Sequence, residues 1–319
     1  MAKDRILIFG NGMLGNFYLR YFSGLEYEVK ITSVNITLKD EVDEEVEKYK
    51  PSVIINTAAK TNLEWCVNNK LEAFSVNVLG TDNIAQICDK NDIYFIHLSS
   101  GCILESKDEN DIKSETAIPK PESYYSLTKA WAENIIIFKR SNKFKYLILR
   151  PRQPISSEIS TKNMLVKMLT FTKFIDVPNN GTIIEDLMNW TEKLIQKRVT
   201  GILHVVNTGW TTPYRMGVML KKYVLPNLPV NKITKEELNT MNPEKRADAI
   251  LDNSKLISII GEVGTYESRM KEIIMKLAEN FKTGDKNYIR EQMEKTVASS
   301  KTRTVANDCW KDLLKPSNL

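Results

Sequence analysis

The first half of the chain alternates short apolar runs with longer stretches in which apolar residues recur every three or four positions. Short runs are typical of buried strands, and the wider spacing is typical of helices that pack on one face. The predicted strands are RILIF, YEVKI, SVIIN, YFIHL and YLILR. Helices are predicted between them near Met13–Phe22, in DEVDEEVEKYK, from about Leu71 to Lys90 and from about Ser123 onward. Strands that alternate with helices pair in parallel, so the pattern predicts an α/β fold with a doubly wound parallel sheet.

The pattern changes at Pro151, beyond which prolines break the sequence into shorter elements. This change predicts a smaller C-terminal α/β lobe over residues 151–281, which can interleave with the first part of the chain. The last segment, 282–319, is a polar, basic tail that is expected to be helical or partly disordered.

Composition and charge narrow the class of protein. With 42% hydrophobic and 27% charged residues among 319, the chain fits an ordinary globular protein. The formal net charge is +5, and the segment from Phe281 onward supplies most of it with eight Lys or Arg and five Asp or Glu. The rest of the chain is nearly neutral, so no nucleic-acid partner is expected.

Cysteine usage and hydropathy favour a cytoplasmic protein. The four cysteines show no C-x-x-C spacing and only two histidines are present, so we expect free thiols and no metal site. The N-terminus shows no leader pattern, and no apolar run approaches the length of about 18 residues that a membrane span needs.

The first predicted strand leads directly into a glycine-rich turn. Gly10, Gly12 and Gly15 form G-x-G-x-x-G between that strand and a helix. Glycines allow a tight turn and close approach of a pyrophosphate, which the unpaired N–H groups at a helix start can bind. We therefore predict that Gly10, Gly12, Met13, Leu14 and Gly15 bind a dinucleotide, in a Rossmann-type domain spanning residues 1–150. The alternative is a helix start that is glycine-rich by chance.

The end of the second strand bears on the choice of dinucleotide. NAD-binding sites usually place an acidic residue there, which accepts a hydrogen bond from the ribose 2′-hydroxyl. In VKITSVN no acid is present, so a 2′-phosphate would not be repelled. The expected cofactor is NADP(H), with NAD(H) as the alternative.

Tyr125 and Lys129 stand four residues apart on a predicted helix and therefore share one face. Ser100 follows the strand YFIHL, at the carboxyl edge where open α/β sheets bind ligands. An ammonium near a phenol lowers its pKa, so Tyr125 could protonate a carbonyl oxygen while hydride reaches the carbon and Ser100 polarises that oxygen. The alternative is a surface Tyr/Lys pair without catalytic function.

These motifs resemble those of the extended short-chain dehydrogenase/reductases, and within them the dTDP-4-dehydrorhamnose reductase group. The similar segments are VIINTAAKTNLEWC, AFSVNVLGTDNIA and YYSLTKAWAE. The resemblance implies that Ser100, Tyr125 and Lys129 are catalytic. It also implies that Asn56, Ala58 and Ala59 line the cofactor site, to which Lys129 contributes as well.

The second half is similar to a subgroup that both epimerises C3 and C5 and reduces C4 of a nucleoside-diphosphate 4-keto-6-deoxyglucose. The similar segments are SGCILE, LRPRQPISSEIS, NMLVKML, DVPNNGTIIEDL and LDNSKL. By this resemblance Cys102 and Lys167 are the epimerase residues. For Cys102 a buried filler at a turn is the alternative. Lys167 could instead be solvated or bind the substrate's pyrophosphate.

The expected substrate is thus a nucleotide-diphospho-sugar, and the lobe is its binding site. Residues predicted to contact it are Arg152, Asn163 and Arg246. Arg150 is another candidate for the diphosphate, although it could instead cap the sheet edge. The expected product is an NDP-rhamnose and the expected assembly is a homodimer. Reduction without epimerisation, and a non-catalytic NADP-binding regulatory subunit, are the alternatives.

Overall fold

The computed structural model describes residues 4–241, 245–300 and 307–315. The strands are β1 (Arg5–Phe9), β2 (Glu28–Thr32), β3 (Val53–Asn56), β4 (Tyr94–Leu98), β5 (Ile112–Lys113), β6 (Tyr146–Arg150), β7 (Lys173–Ile175), β8 (Gly201–His204), β9 (Asn231–Ile233) and β10 (Ile250–Leu251). In these ranges six strands form one parallel sheet in the order β2-β1-β3-β4-β6-β8, and two further parallel pairs, β10-β5 and β7-β9, lie outside it. The doubly wound α/β fold expected from the sequence is confirmed.

The helices occupy the segments between the strands. They are α1 (Met13–Ser23), α2 (Lys39–Tyr49), α3 (Leu63–Asn68), α4 (Lys70–Phe74), α5 (Thr81–Lys90), α6 (Tyr124–Phe138), α7 (Met164–Met168), α8 (Ile184–Gln196), α9 (Pro213–Tyr223), α10 (Lys235–Met241), α11 (Ser254–Ile260), α12 (Tyr266–Thr283) and α13 (Lys286–Ser300). A π-helical turn, Ser75–Gly80, joins α4 to α5, so the helix expected over 71–90 is continuous but locally widened. Within the described ranges no helix is both long and apolar enough to span a lipid bilayer.

Both faces of the main sheet are covered, which explains why its strands are almost wholly apolar. Side chains of β1 alternate between the faces. Ile6 and Ile8 belong to an apolar cluster that includes residues of α1 and α8. Leu7 and Phe9 belong to a second cluster with residues of α2 and α5. The strand is therefore buried from Ile6 to Phe9, as its apolar residues require.

The second half of the chain contributes to both parts of the molecule. β8 is the edge strand of the main sheet beside β6, and α8 packs against α1. A separate apolar cluster forms the lobe, with members from α7, α9 and α12. The tail joins it through Ile289, Met293, Trp310 and Leu313. The sequence-based domain limits and the homodimer stay predictions.

The turn after β1 lies where the strand order reverses, between β1 and β3. Gly10 has φ of 102°, and a Cβ there would lie 2.5 Å from the Ala58 nitrogen. A Cβ on Gly15 would lie 2.0 Å from the Gly10 carbonyl oxygen. Glycine is thus required at both positions by contact with neighbouring backbone.

Gly15→Ala is expected to destabilise the protein by about 3 kcal/mol, because backbone must move to admit the methyl group. Gly12→Ala is the matched control, since a Cβ at Gly12 meets nothing within 4 Å. The free energies of unfolding can be measured by urea titration. Equal midpoints for the two variants would contradict the packing described for Gly15.

Candidate active site

The start of α1 offers an anion site beside the carboxyl ends of β1 and β3. Gly12 is the N-cap residue and no side chain caps the helix. The open space around Gly12 leaves the first N–H groups, including those of Met13 and Leu14, accessible to a ligand. The predicted cofactor residues at the end of β3, Ala58 and Ala59, lie partly buried next to this turn.

The end of β2 carries no carboxylate, as the sequence shows. Thr32 is buried, and the exposed polar side chains that follow are Ser33 and Asn35. Lys30 is 2.7 Å from Glu45 and forms an ion pair with it. The hydroxyl and amide groups therefore remain as the neutral polar surface at this end of the strand.

Ser100 and Tyr125 meet at the carboxyl edge of β4. Ser100 begins a 3₁₀ turn, Gly101–Ile103, and its Oγ accepts a hydrogen bond from the Cys102 nitrogen at 3.2 Å. Tyr125 lies in the first turn of α6, where Ser123 caps the helix by accepting from the Ser126 nitrogen. The Tyr125 hydroxyl lies close enough to the Ser100 hydroxyl to interact with it. The sequence order strand, serine, helical tyrosine thus brings the two hydroxyls together.

Burial raises the pKa of Tyr125 above its usual value. The nearby Cys102 sulfur adds to the rise, while the nearby Ser100 hydroxyl opposes it. The expectation that Lys129 lowers this pKa is wrong for the present arrangement, because the Lys129 ammonium points elsewhere. A phenol held in its protonated form has the state that a proton donor needs.

Lys129 is 1% exposed and points beneath the edge of the sheet. Its Nζ donates to the Leu98 carbonyl at 2.6 Å and lies 3.2 Å from His97 Nε2. Burial lowers the pKa of Lys129 to about 8, and the Glu133 carboxylate limits that decrease. Lys129 therefore titrates closer to neutrality than an exposed lysine.

The orientation of the Asn56 amide determines which ring nitrogen of His97 carries the proton. The Asn56 Oδ1 accepts from the Ala58 nitrogen at 3.0 Å, so its amide group faces Thr81 and the His97 Nδ1. Since that amide can only donate, Nδ1 is assigned as the acceptor and Nε2 carries the proton, which Nε2 can donate to Lys129 only when Lys129 is uncharged. Burial holds the pKa of His97 well below its usual value, so the ring is neutral. Asn56 is fully buried and supports the cofactor turn from behind.

A buried ion pair lies next to this group. Glu133 and Arg150 are each 2% exposed, and Arg150 Nη2 donates to Glu133 Oε2 at 2.7 Å. The Ser99 hydroxyl also donates to Glu133. Arg150, a candidate for the diphosphate, is therefore occupied inside the protein, and its suggested role in binding the diphosphate is wrong. Pairing satisfies a charge that would otherwise be costly to bury.

Cys102 contacts a second buried arginine. Arg152 is 1% exposed, and its Nη1 donates to the Cys102 Sγ at 2.9 Å. The other terminal nitrogen donates to Asn179 Oδ1 at 2.6 Å and to the Ala247 carbonyl. Among the described residues no carboxylate lies within 4.0 Å of this guanidinium. The sulfur is thus the one contacting group of the three that can become an anion and balance the charge.

A cavity of about 130 Å³ lies in the lobe. Its wall is mainly apolar, and the polar positions carry lysine, arginine and amide side chains together with Asp248. The lining includes Met164, Met168, Phe171, Phe174, Met216, Lys173, Lys235 and Arg246. Asn179 lines it as well and connects it to Cys102, since Asn179 binds both Arg152 and Asp248.

The other predicted substrate residues lie around this cavity. Arg246 is exposed at its wall, and Lys167 is partly buried on α7, whose Met164 and Met168 face the cavity. Asn163 is 1% exposed and caps α7, and its amide donates to the Ser156 and Glu158 carbonyls. A supporting function of Asn163 is therefore evident, while contact with substrate stays a prediction.

Sequence reasoning missed several residues that hold the site. Glu133 follows Lys129 by four positions, so the spacing that relates Tyr125 to Lys129 would have found it. Asn77 in the π-helical turn binds the Lys60 backbone and the Thr128 hydroxyl, and so joins the loop after β3 to α6. A single asparagine in a helical stretch gives no such signal in the sequence. In the described part of the chain no cluster of three His, Cys, Asp or Glu side chains is placed to hold a metal.

Comparison with known protein families shows to which family the chain belongs. A family model described as the RmlD substrate binding domain matches residues 4–279, which is most of the chain. The chain belongs to the RmlD substrate-binding domain family. Its relatives include proteins named as dTDP-4-dehydrorhamnose reductases, and this RmlD-family protein is an oxidoreductase.

Two plant relatives are similar to the RmlD-family chain. A bifunctional dTDP-4-dehydrorhamnose 3,5-epimerase/reductase of Arabidopsis thaliana is 28% identical over 242 residues, covering 73% of this chain and 79% of its own. A trifunctional UDP-glucose 4,6-dehydratase, 3,5-epimerase and reductase of the same plant is 28% identical over 223 residues. The aligned part is 66% of this chain but only 33% of that longer protein.

Solved structures of sugar-nucleotide enzymes share the fold. The UDP-rhamnose synthase of Acanthamoeba polyphaga mimivirus has a TM-score of 0.80 at 22% identity, covering 86% of this chain and 100% of its own. A dTDP-4-dehydrorhamnose reductase of Bacillus anthracis, solved in complex with NADP, has a TM-score of 0.75 at 20% identity with the same coverage. The confirmed features are the resemblance to the family and the fold.

Lys129→Met is expected to stabilise the protein by about 2 kcal/mol at pH 7, because burying the ammonium costs more than its bonds return. Between pH 8 and 10.5 the unfolded chain retains a proton that folded Lys129 has released, so wild-type stability rises with pH there. The advantage of the variant should therefore shrink toward pH 10.5. Urea unfolding at pH 7 and pH 10 measures it, and a constant difference would contradict the lowered pKa of Lys129.

Proposed function

We propose that the protein reduces the C4 ketone of a nucleoside-diphosphate 4-keto-6-deoxyhexose with NADPH, and also epimerises C3 and C5 to give an NDP-rhamnose. The observation that carries the proposal is that Ser100 and Tyr125 come together at the sheet edge to which the uncapped start of α1 also belongs. Family membership and relatives named as epimerase/reductases support it.

NADP(H) fits the residues present. The open space at Gly12 and the free N–H groups of α1 suit a pyrophosphate, and the end of β2 has no carboxylate to repel a 2′-phosphate. Gly10, Gly12, Gly15, Ala58 and Ala59 would form this side of the site. The bound cofactor would supply the hydride to C4. A Bacillus anthracis relative solved with NADP supports the same choice.

For the reduction, Tyr125 delivers a proton to the C4 oxygen as that oxygen becomes an alkoxide. Its raised pKa keeps the proton on the phenol until negative charge develops. Ser100 donates a hydrogen bond to the same oxygen and stabilises its charge. Lys129 lies one helical turn from Tyr125, and its pKa of about 8 suits a group that gains or loses a proton near neutrality.

For the epimerisation, Cys102 and Lys167 act on the carbon atoms next to the ketone. One group removes the proton at C3 or C5, and the electron pair moves to the C4 oxygen to form an enolate that Ser100 and Tyr125 stabilise. The other group returns a proton from the opposite face, which inverts the carbon. Arg152 supplies the positive charge that balances the Cys102 sulfur whenever its proton has moved to substrate.

The cavity in the lobe is the proposed site of the nucleoside diphosphate. Its apolar wall suits a pyrimidine base, and Arg246 and the neighbouring lysines suit phosphate oxygens. Asn179 links this wall to Arg152, so the sugar between them would lie close to Cys102. Incubation with UDP- and dTDP-linked substrates distinguishes the two nucleotides.

Tyr125→Phe is expected to lower the rate of NADPH oxidation at least about 1000-fold with either 4-keto-6-deoxyglucose nucleotide, because the proton donor is lost. Absorbance at the NADPH band measures turnover, and NADPH affinity is the control for an intact cofactor site. Near-normal turnover with normal NADPH affinity would refute the proposed reduction.

Cys102→Ala is expected to abolish the entry of solvent deuterium at C3 and C5 and to yield a sugar that keeps the original configuration there. Arg152→Gln should reduce deuterium entry in the same direction, because the buried counter-charge is removed. NMR of the product in deuterium oxide reads both carbon atoms. If Cys102→Ala exchanges deuterium as fast as the wild type, the protein is a reductase whose Cys102 does not take part.

A further inference from the structure

The family match ends at residue 279, yet the chain continues with α13 and a 3₁₀ turn, Cys309–Leu314. These elements are docked on the lobe. α13 packs against α7, and the Tyr288 hydroxyl donates to the Ile159 carbonyl at 3.0 Å. Ile289 and Met293 are completely buried in the apolar cluster of the lobe. The tail therefore covers the side of α7 that faces away from the cavity.

α7 needs such support because it is only five residues long. A helix of one to two turns is unstable by itself in water, since few hydrogen bonds offset the cost of nucleation. Met164 and Met168 line the cavity, and Met168 also belongs to the apolar cluster that the tail joins. Leu165, Val166 and Leu169 are completely buried in that cluster. The packing of the tail thus fixes one side of α7 and presents the other side to substrate.

Asn307 binds the backbone that follows α7. Its Nδ2 donates to the Leu169 carbonyl at 3.3 Å and to the Phe171 carbonyl at 2.9 Å. Its own backbone nitrogen donates to the Thr170 carbonyl at 3.3 Å. Asn307 is 8% exposed, and its Oδ1 accepts from the Cys309 nitrogen at 3.0 Å. Three successive carbonyls beyond the helix are therefore satisfied by one residue of the tail.

We infer that Asn307 is a positioning residue of the substrate site, which holds α7 and Phe171 in place from outside the cavity. Asn163 caps the same helix at its start, so an asparagine fixes each end of α7. Lys167 and the cavity wall of Met164, Met168 and Phe171 lie between these two supports. The ligand concerned is a pyrimidine nucleoside diphosphate, and in this respect the inference rests on the proposed function.

Asn307→Asp in the full chain is the sharpest test. Aspartate keeps the shape and the acceptor for the Cys309 nitrogen but cannot donate to Leu169 and Phe171, and its charge faces carbonyl oxygens. UDP or dTDP affinity, measured by calorimetry, is expected to fall about tenfold. The amides of residues 167–171 should exchange with deuterium about tenfold faster in the NADPH-bound protein. NADPH affinity should not change, because the proposed NADPH site at the start of α1 lies on the main sheet, whereas Asn307 packs on the lobe.

Asn227→Ala is the matched control. Asn227 also binds the tail, donating to Asp312 at 3.0 Å, but this exposed contact does not involve α7. It should leave nucleotide affinity and exchange of residues 167–171 as in the wild type. Unchanged exchange in Asn307→Asp would overturn the inference, and so would faster exchange without loss of nucleotide affinity. A wild type that binds neither UDP nor dTDP would instead refute the proposed function and the substrate part of the inference together, whatever the exchange shows.

Discussion

The reactive groups depend on the parallel register of β1, β3 and β4. In that register Phe9 is level with Asn56, and Asn56 is level with His97. Because parallel strands all end at the same edge, the turns that leave them converge there. A slip of one residue in β3 or β4 would turn Asn56 or His97 toward the opposite face of the sheet. The glycine turn, Ser100 and the support for Lys129 all follow from this single alignment.

Beneath that edge lies a layer of buried polar groups, which is unusual for the interior of a parallel sheet. Asn56, His97 and Lys129 form one contact series, and Glu133 and Arg150 form the adjacent ion pair. Each group has partners, so the desolvation cost is contained, but an apolar core of the same shape would be more stable. The fold keeps these residues at a cost in stability, as is common at functional sites where burial and neighbouring charges shift pKa values.

Local pattern located the main-sheet strands of residues 1–150 because four of the five, all except β2, are mostly apolar. It located α1, α2, α5 and α6 because each buries an apolar face. The Tyr125 and Lys129 pair was found by helical spacing, and Ser100 by its place at the end of a strand. The lobe was harder to predict, since its strands have only two or three residues and depend on distant segments for pairing. The contact of Arg152 with Cys102 joins residues 50 positions apart, and no local pattern encodes it. Sequence alone could not distinguish Arg150 from Arg152. Both are buried, but Arg150 pairs with the Glu133 carboxylate and Arg152 contacts the Cys102 sulfur.

β8 comes from the second half of the chain but completes the main sheet, so a chain that is cut after β6 loses an edge strand. β8 hydrogen-bonds to β6, so a fragment that ended at Arg150 would leave the backbone of β6 unpaired along one side. Such an apolar edge, with Leu147 and Leu149 in it, would recruit strands of other molecules and promote aggregation. The lobe would in turn lose the segments that anchor it to the sheet. Residues 1–150 therefore do not complete the main sheet by themselves, because its last strand comes from the second half of the chain.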